Sequence, residues 1–103
     1  MSDEWIPVAR VDEVPEGGTL QTFCEQEVLC LYRLQGRVYA TQDTCTHGAA
    51  SLSEGYVDGD QIECPFHQGL FHIPTGKATG APCTVDLKVY QVKEQGDEIL
   101  VKP

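Results

Sequence analysis

Val28-Leu29-Cys30-Leu31-Tyr32, then Gln35-Gly36, then Arg37-Val38-Tyr39-Ala40: an apolar run, a pair able to turn, and a second run. Two such segments joined by a short Gly-containing turn predict a β-hairpin. Further along, Val85, Leu87 and Val89 alternate with Asp86, Lys88 and Tyr90. That period of two predicts a half-buried strand. Gln95-Gly96-Asp97 then turns the chain into a last strand, Glu98-Ile99-Leu100-Val101. Toward the N-terminus, Trp5-Ile6-Pro7-Val8-Ala9 reads as a first strand, which Pro7 places at an edge or a strand start. Glu16-Gly17-Gly18 and Asp58-Gly59-Asp60 are further turns. No segment keeps a helical period, and Pro15 interrupts the best candidate, Val11 to Leu20. Many short strands between Gly-rich turns predict an all-β protein, an antiparallel sandwich or barrel.

The length of 103 residues fits one domain. Sixteen acidic against seven basic residues give a formal charge of −9. Phosphate binding needs clustered Lys and Arg, so nucleic acid is not an expected partner. The chain is 41% hydrophobic and only 22% charged, too apolar for a disordered acidic tail. No run approaches the ~18 to 20 apolar residues that cross a bilayer as a helix, so no membrane partner is expected. The start, Met1-Ser2-Asp3-Glu4-Trp5, lacks the basic and apolar segments of a secretory signal. Five cysteines are an odd number for a disulfide scaffold. A cytoplasmic chain whose clustered cysteines bind metal or carry redox chemistry is the expectation. A small domain also gains from a structural cofactor.

Residues 43–83 differ from both flanks, being rich in Gly, Pro, Thr, Cys and His. All three histidines and three of the five cysteines fall there. The expectation is a loop-built site inserted in a basal β framework of residues 1–42 and 84–103. Its chemistry lies in two boxes, Cys45-Thr46-His47 and Cys64-Pro65-Phe66-His67. Each offers one thiolate and one imidazole. Two sulfurs and two nitrogens suit a Cys₂His₂ zinc site. Zinc fingers, however, usually pair like with like. Two mixed boxes are what a two-iron cluster needs if one iron takes both thiolates and the other both imidazoles.

Cys45-Thr46-His47-Gly48 and Cys64-Pro65-Phe66-His67-Gln68-Gly69 resemble the two boxes of Rieske-type ferredoxins. The resemblance spans nearly the whole chain. It takes in Trp5-Ile6, Tyr39-Ala40, Asp43-Thr44, Glu54-Gly55-Tyr56, Thr75-Gly76-Lys77-Ala78 and the Pro82 loop. Among such proteins the chain is most similar to the small ferredoxins of bacterial aromatic-ring-hydroxylating dioxygenases. The resemblance implies the Rieske fold and one 2Fe-2S cluster. Cys45 and Cys64 would hold the inner iron. His47 and His67 would hold the outer one through Nδ1, with Nε2–H near the surface as electron port and partner contact. Around these ligands, Gly48 and Gly69 would let the backbone approach the sulfides, Gln68 would lie beside the cluster, and Pro82 would belong to a covering third loop.

Charge counting fits that ligand set. Two ferric ions and two sulfides sum to +2, so two thiolates and two neutral imidazoles leave the oxidised site neutral. Four thiolates would leave it at −2 and harder to reduce. High-potential members carry a Ser and a Tyr that hydrogen-bond the cluster and its cysteine ligand. Here Gly69 and Phe71 stand at those positions and cannot donate. The extra cysteines that brace the loops with a disulfide in those members correspond to Ala50 or its neighbour and Phe66. A potential at the low end of the Rieske range is therefore expected.

The resemblance implies a monomeric one-electron carrier between a flavoprotein reductase and a terminal Rieske oxygenase. The chain has no room for a catalytic mononuclear iron domain. A rival is the small Rieske-like subunit of an assimilatory nitrite reductase, and a further one is a zinc-stabilised module. Cys24 and Cys30 read as small core residues. Cys83 has no place in the ligand pattern, and His72, among Leu70, Phe71 and Ile73, reads as a strand residue without a metal role.

Overall fold

A computed structural model describes residues 4–46, 48–66, 68–81 and 83–103, and among these residues there are ten strands and two short 3₁₀ turns. The hairpin at the centre is the one its sequence predicts. Strand β3 (Glu27–Leu34) pairs antiparallel with β4 (Arg37–Gln42), and Gln35 and Gly36 turn between them with φ of 52° and 81°. Two successive left-handed residues make a type I′ turn, whose twist matches the flanking strands. Strand β2 (Thr19–Cys24) adds to the outer side of β3. On the other side, β4 pairs with β9 (Val89–Gln95), β9 with β10 (Glu98–Lys102), and β10 with β1 (Ile6–Arg10).

The six strands run in the order β1-β10-β9-β4-β3-β2. The two ends of this sheet come back together, and the Thr22 hydroxyl donates to the Val8 carbonyl across the seam at 2.6 Å. The result is a nearly closed barrel. Pro7 lies in β1, an end strand of the sheet, just before a bulge between Pro7 and Ala9. That placement suits a residue with no backbone N–H to contribute.

A second, four-stranded sheet runs β5 (Tyr56–Asp58), β6 (Gln61–Glu63), β7 (Leu70–His72), β8 (Ala78–Gly80). Each of these strands is three residues long, too short for alternation to show in sequence. The middle section is therefore a small sheet with loops at its end, more ordered than its composition suggests.

Strand β3 joins the two halves. Leu29 and Leu31 enter one core with Val38, Ala40, Ile99 and Val101. Cys30 and Tyr32, on the opposite face, enter a second core with Cys45, Leu52, Cys64 and Phe71. Residues 29–32 are all fully buried, so the run is apolar throughout rather than alternating.

One strand expectation needs correction. Residues 85–88 are not in a strand, and β9 starts only at Val89. Val85, Leu87 and Val89 do not share a buried face: Leu87 is buried, while Val85 and Val89 are 60% and 42% exposed. Contacts with the small sheet hold the segment instead. Leu87 N–H donates to the Gly76 carbonyl at 2.7 Å, and Asp86 accepts from Ala78 N–H at 2.9 Å. The missing helix at Val11 to Leu20 is borne out: only Val11–Glu13 turns, as a 3₁₀ element, before β2 begins.

Candidate metal centre

The two cysteine boxes occupy equivalent places. Thr44 bridges to Ser51 around the first, and Glu63 pairs with Leu70 around the second. Inside each frame the cysteine N–H closes the loop onto a carbonyl five residues on. Cys45 donates to Ala50 at 2.9 Å and Cys64 to Gly69 at 2.8 Å. Each box is thus a hairpin tip with a cysteine at its base and a histidine two or three residues along. A strand pair supplies the rigidity and the tip supplies the ligands.

Cys45 and Cys64 are both buried and pack in the same core. Burial first, and then the neighbouring Cys45 thiol, pushes the Cys64 thiol up to about 11. Iron must displace a proton from each ligand thiol, so loading the site releases protons. His47, His67 and Pro82, the remaining ligand and covering-loop candidates, lie outside the described residues. Of the neighbouring candidates, Gly48 is exposed in the first tip. Gln68, in the second, adopts φ of 60°, a left-handed conformation uncommon for a residue with a side chain. Gly69 is buried behind it.

A third loop packs against the first. Thr46 Oγ1 donates to the Val85 carbonyl at 2.6 Å. Two apolar side chains stand out around these loops, Phe66 at 57% and Val85 at 60% exposure.

Two features have no prominent sequence signal. Asp43 is a carboxylate only 3% exposed. It accepts from Ser53 N–H at 2.9 Å, from Gln21 Nε2 at 2.9 Å and from Ser51 Oγ at 2.5 Å. Its own backbone donates to Val28 O and accepts from Leu52 N–H. Asp43 therefore ties the root of the first tip to β2, β3 and the returning chain. The second feature is Cys83, which joins Cys45 and Cys64 in the same core.

Other candidates are engaged elsewhere. His72 uses both ring nitrogens, Nε2 with Asp60 at 2.9 Å and Nδ1 with Thr75 at 2.8 Å. Cys24 and Cys30 are buried on opposite faces of the framework, in different cores.

Two buried thiols that share one core at paired hairpin tips, each with a histidine two or three residues along the chain, fit a metal group that takes both sulfurs. The family model for the Rieske [2Fe-2S] domain matches residues 4–91. The chain belongs to the Rieske family. It carries one Rieske 2Fe-2S cluster. The ferredoxin component of the 2,4-dinitrotoluene dioxygenase system of Burkholderia sp. (strain RASC) is 46% identical to this Rieske chain, covering 99% of this chain and 98% of the relative. A solved complex of reduced oxygenase and oxidised ferredoxin in carbazole 1,9a-dioxygenase contains a chain 42% identical at TM-score 0.89. The match covers 97% of this chain and 94% of that one. A structure bearing the name of a nitrite reductase NADPH small subunit covers 97% of this chain and 99% of that one at TM-score 0.84. It is 19% identical and shows the Rieske fold alone. Among the described residues, no helix is long and apolar enough to cross a membrane.

Proposed function

We propose that this Rieske protein is the ferredoxin component of an aromatic-ring-hydroxylating dioxygenase system. It acts as a one-electron carrier from a flavoprotein reductase to a terminal Rieske oxygenase and is not itself a catalyst. The observation that carries the reading is the pair of equivalent hairpin tips whose cysteines, Cys45 and Cys64, are buried in one core. The relatives' names and the near-complete coverage of their length support it. In the proposed ligand set Cys45 and Cys64 bind one iron, and His47 and His67 the other. Residues 43–83 form the cluster-binding unit on the framework of residues 1–42 and 84–103.

What the chain's own residues do follows from their placement. The cores around Cys30, Tyr32 and Phe71 bury the cysteine side of the site, where a low dielectric strengthens every hydrogen bond to sulfur. The histidine-bearing tips, with Phe66 and Val85 beside them, form the face that meets redox partners. A charge of −9 steers encounter with more basic partners, so the rate of electron delivery falls as salt rises. The protein works as a monomer in the cytoplasm, where its thiols stay reduced.

Redox titration and reconstitution test this reading. No hydroxyl donor exists at Gly69 or Phe71, and Phe71 is wholly buried. The expected midpoint is below about 0 mV, in the lower part of the Rieske span of roughly −150 to +300 mV. Reconstitution with a flavoprotein reductase and a ring-hydroxylating oxygenase should give product formation that depends on this protein. A midpoint well above 0 mV, or turnover with nitrite reductase components alone, contradicts it.

A further inference from the structure

Cys83 lies outside both ligand boxes, yet its sulfur lies 3.8 Å from the Cys45 sulfur. This is hydrogen-bond range for a sulfur pair. Three observations show that the approach is built into the fold. Cys83 is 5% exposed and packs in the core that holds Cys45 and Cys64. Its backbone N–H is turned back onto the Gly80 carbonyl at 3.2 Å, which closes a turn at the end of β8. Finally, the space for its sulfur exists only because residue 69 is glycine. A Cβ there would come within 2.1 Å of Cys83 Sγ, closer than real Cβ contacts allow.

The direction of the contact follows from the ligand chemistry. A cysteine bound to iron is a thiolate and has no proton to give. Between Cys45 and Cys83, the shared proton can then sit only on Cys83, a thiol that is a donor and is not needed as a ligand. We propose that the Cys83 thiol donates a hydrogen bond to the Cys45 ligand sulfur and thereby raises the reduction potential of the cluster. This rests on the cluster reading above. Hydrogen bonds to the sulfurs are among the levers that set iron–sulfur potentials. Reduction adds negative charge to the site, and the donor stabilises the more negative state more strongly. Cys83 is a tuning residue that acts through Cys45, not a ligand.

The test is the midpoint potential of purified holoprotein carrying Cys83→Ala or Cys83→Ser, with reduced-state EPR of each sample. Cys83→Ala removes the donor and should favour the oxidised state by about threefold to tenfold. At 59 mV per tenfold for one electron, that is a fall of about 28 to 59 mV. Cys83→Ser keeps a donor in the same place and should restore most of the shift. If Ala and Ser move the potential equally, or Ala leaves it unchanged, Cys83 only fills space and the proposal is overturned. Loss of the cluster in Cys83→Ala would also overturn it, by making the residue structural. The EPR separates this from the wider reading: a wild-type protein without a rhombic reduced signal refutes the cluster itself. An unchanged midpoint beside an intact signal refutes only the hydrogen bond.

Discussion

Cys64→Ala is expected to give a colourless chain that accumulates mostly as insoluble protein. Cys64 is fully buried at the base of the second tip, packed in one core with Cys45, Phe71 and Ile73. In the proposed ligand set, removing its sulfur takes away one of two thiolates from one iron, and no described cysteine can replace it without rearrangement. Cys83 reaches Cys45, but its sulfur already fills the space beside Gly69. Cluster ligation is folding free energy in a domain this small, so the loss spreads to the whole half of the protein built on the four-stranded sheet. His72→Ala provides the contrast. Both of its ring nitrogens are engaged by Asp60 and Thr75, and the variant should stay coloured with an unaltered spectrum. Absorption of the two purified variants decides: a coloured, soluble Cys64→Ala protein or a bleached His72→Ala protein would refute the ligand assignment.

Asp43→Ala is expected to cost about 2 to 4 kcal/mol and to loosen the first tip. The carboxylate is buried and accepts three hydrogen bonds, from Gln21, Ser51 and the Ser53 N–H. Bonds to a charged acceptor contribute more than neutral ones, and alanine leaves three donors without their partner. The effect should reach the metal centre, since Cys45 is two residues further along. The measurement is the rate at which cluster absorbance disappears in urea or on heating, because unfolding with cluster loss is irreversible and best read as a rate. Asp43→Ala should bleach many-fold faster than wild type. Asp43→Asn should fall between them, since its amide keeps one acceptor and turns a donor toward Gln21 or Ser51. Equal bleaching rates would show that the tip does not depend on this carboxylate.

These two residues also show what sequence makes legible. The mixed Cys/His boxes announce themselves because ligand spacing is local: both donors of a box lie within four residues. The β3–β4 hairpin is equally local, with its Gln35-Gly36 turn between its two runs. Asp43 is a different case, because its partners lie 22 residues upstream and 8 to 10 downstream. Nothing in the linear chain says that a carboxylate in Asp43-Thr44-Cys45 is buried. Cys83 is more distant still, 38 residues from the cysteine it touches. The segment around Val85 misleads for a related reason. Its alternation is real, but hydrogen bonds to Gly76 and Ala78 hold Asp86 and Leu87 to the small sheet, and the backbone rejoins the barrel at Lys88, which bonds to Gln42 of β4. Strand β7 shows through the apolar neighbours of His72, while β5, β6 and β8 escape notice because three residues hold too little pattern and pairing with neighbours defines them instead.

The central claim is that Cys45, His47, Cys64 and His67 hold a two-iron cluster with its thiolates on one iron and its imidazoles on the other. Low-temperature EPR of the purified, chemically reduced protein tests it most directly. The predicted result is a brown protein whose one-electron-reduced form gives a rhombic signal of low average g, integrating to about one spin per chain. A colourless protein that contains zinc and gives no such signal would contradict it.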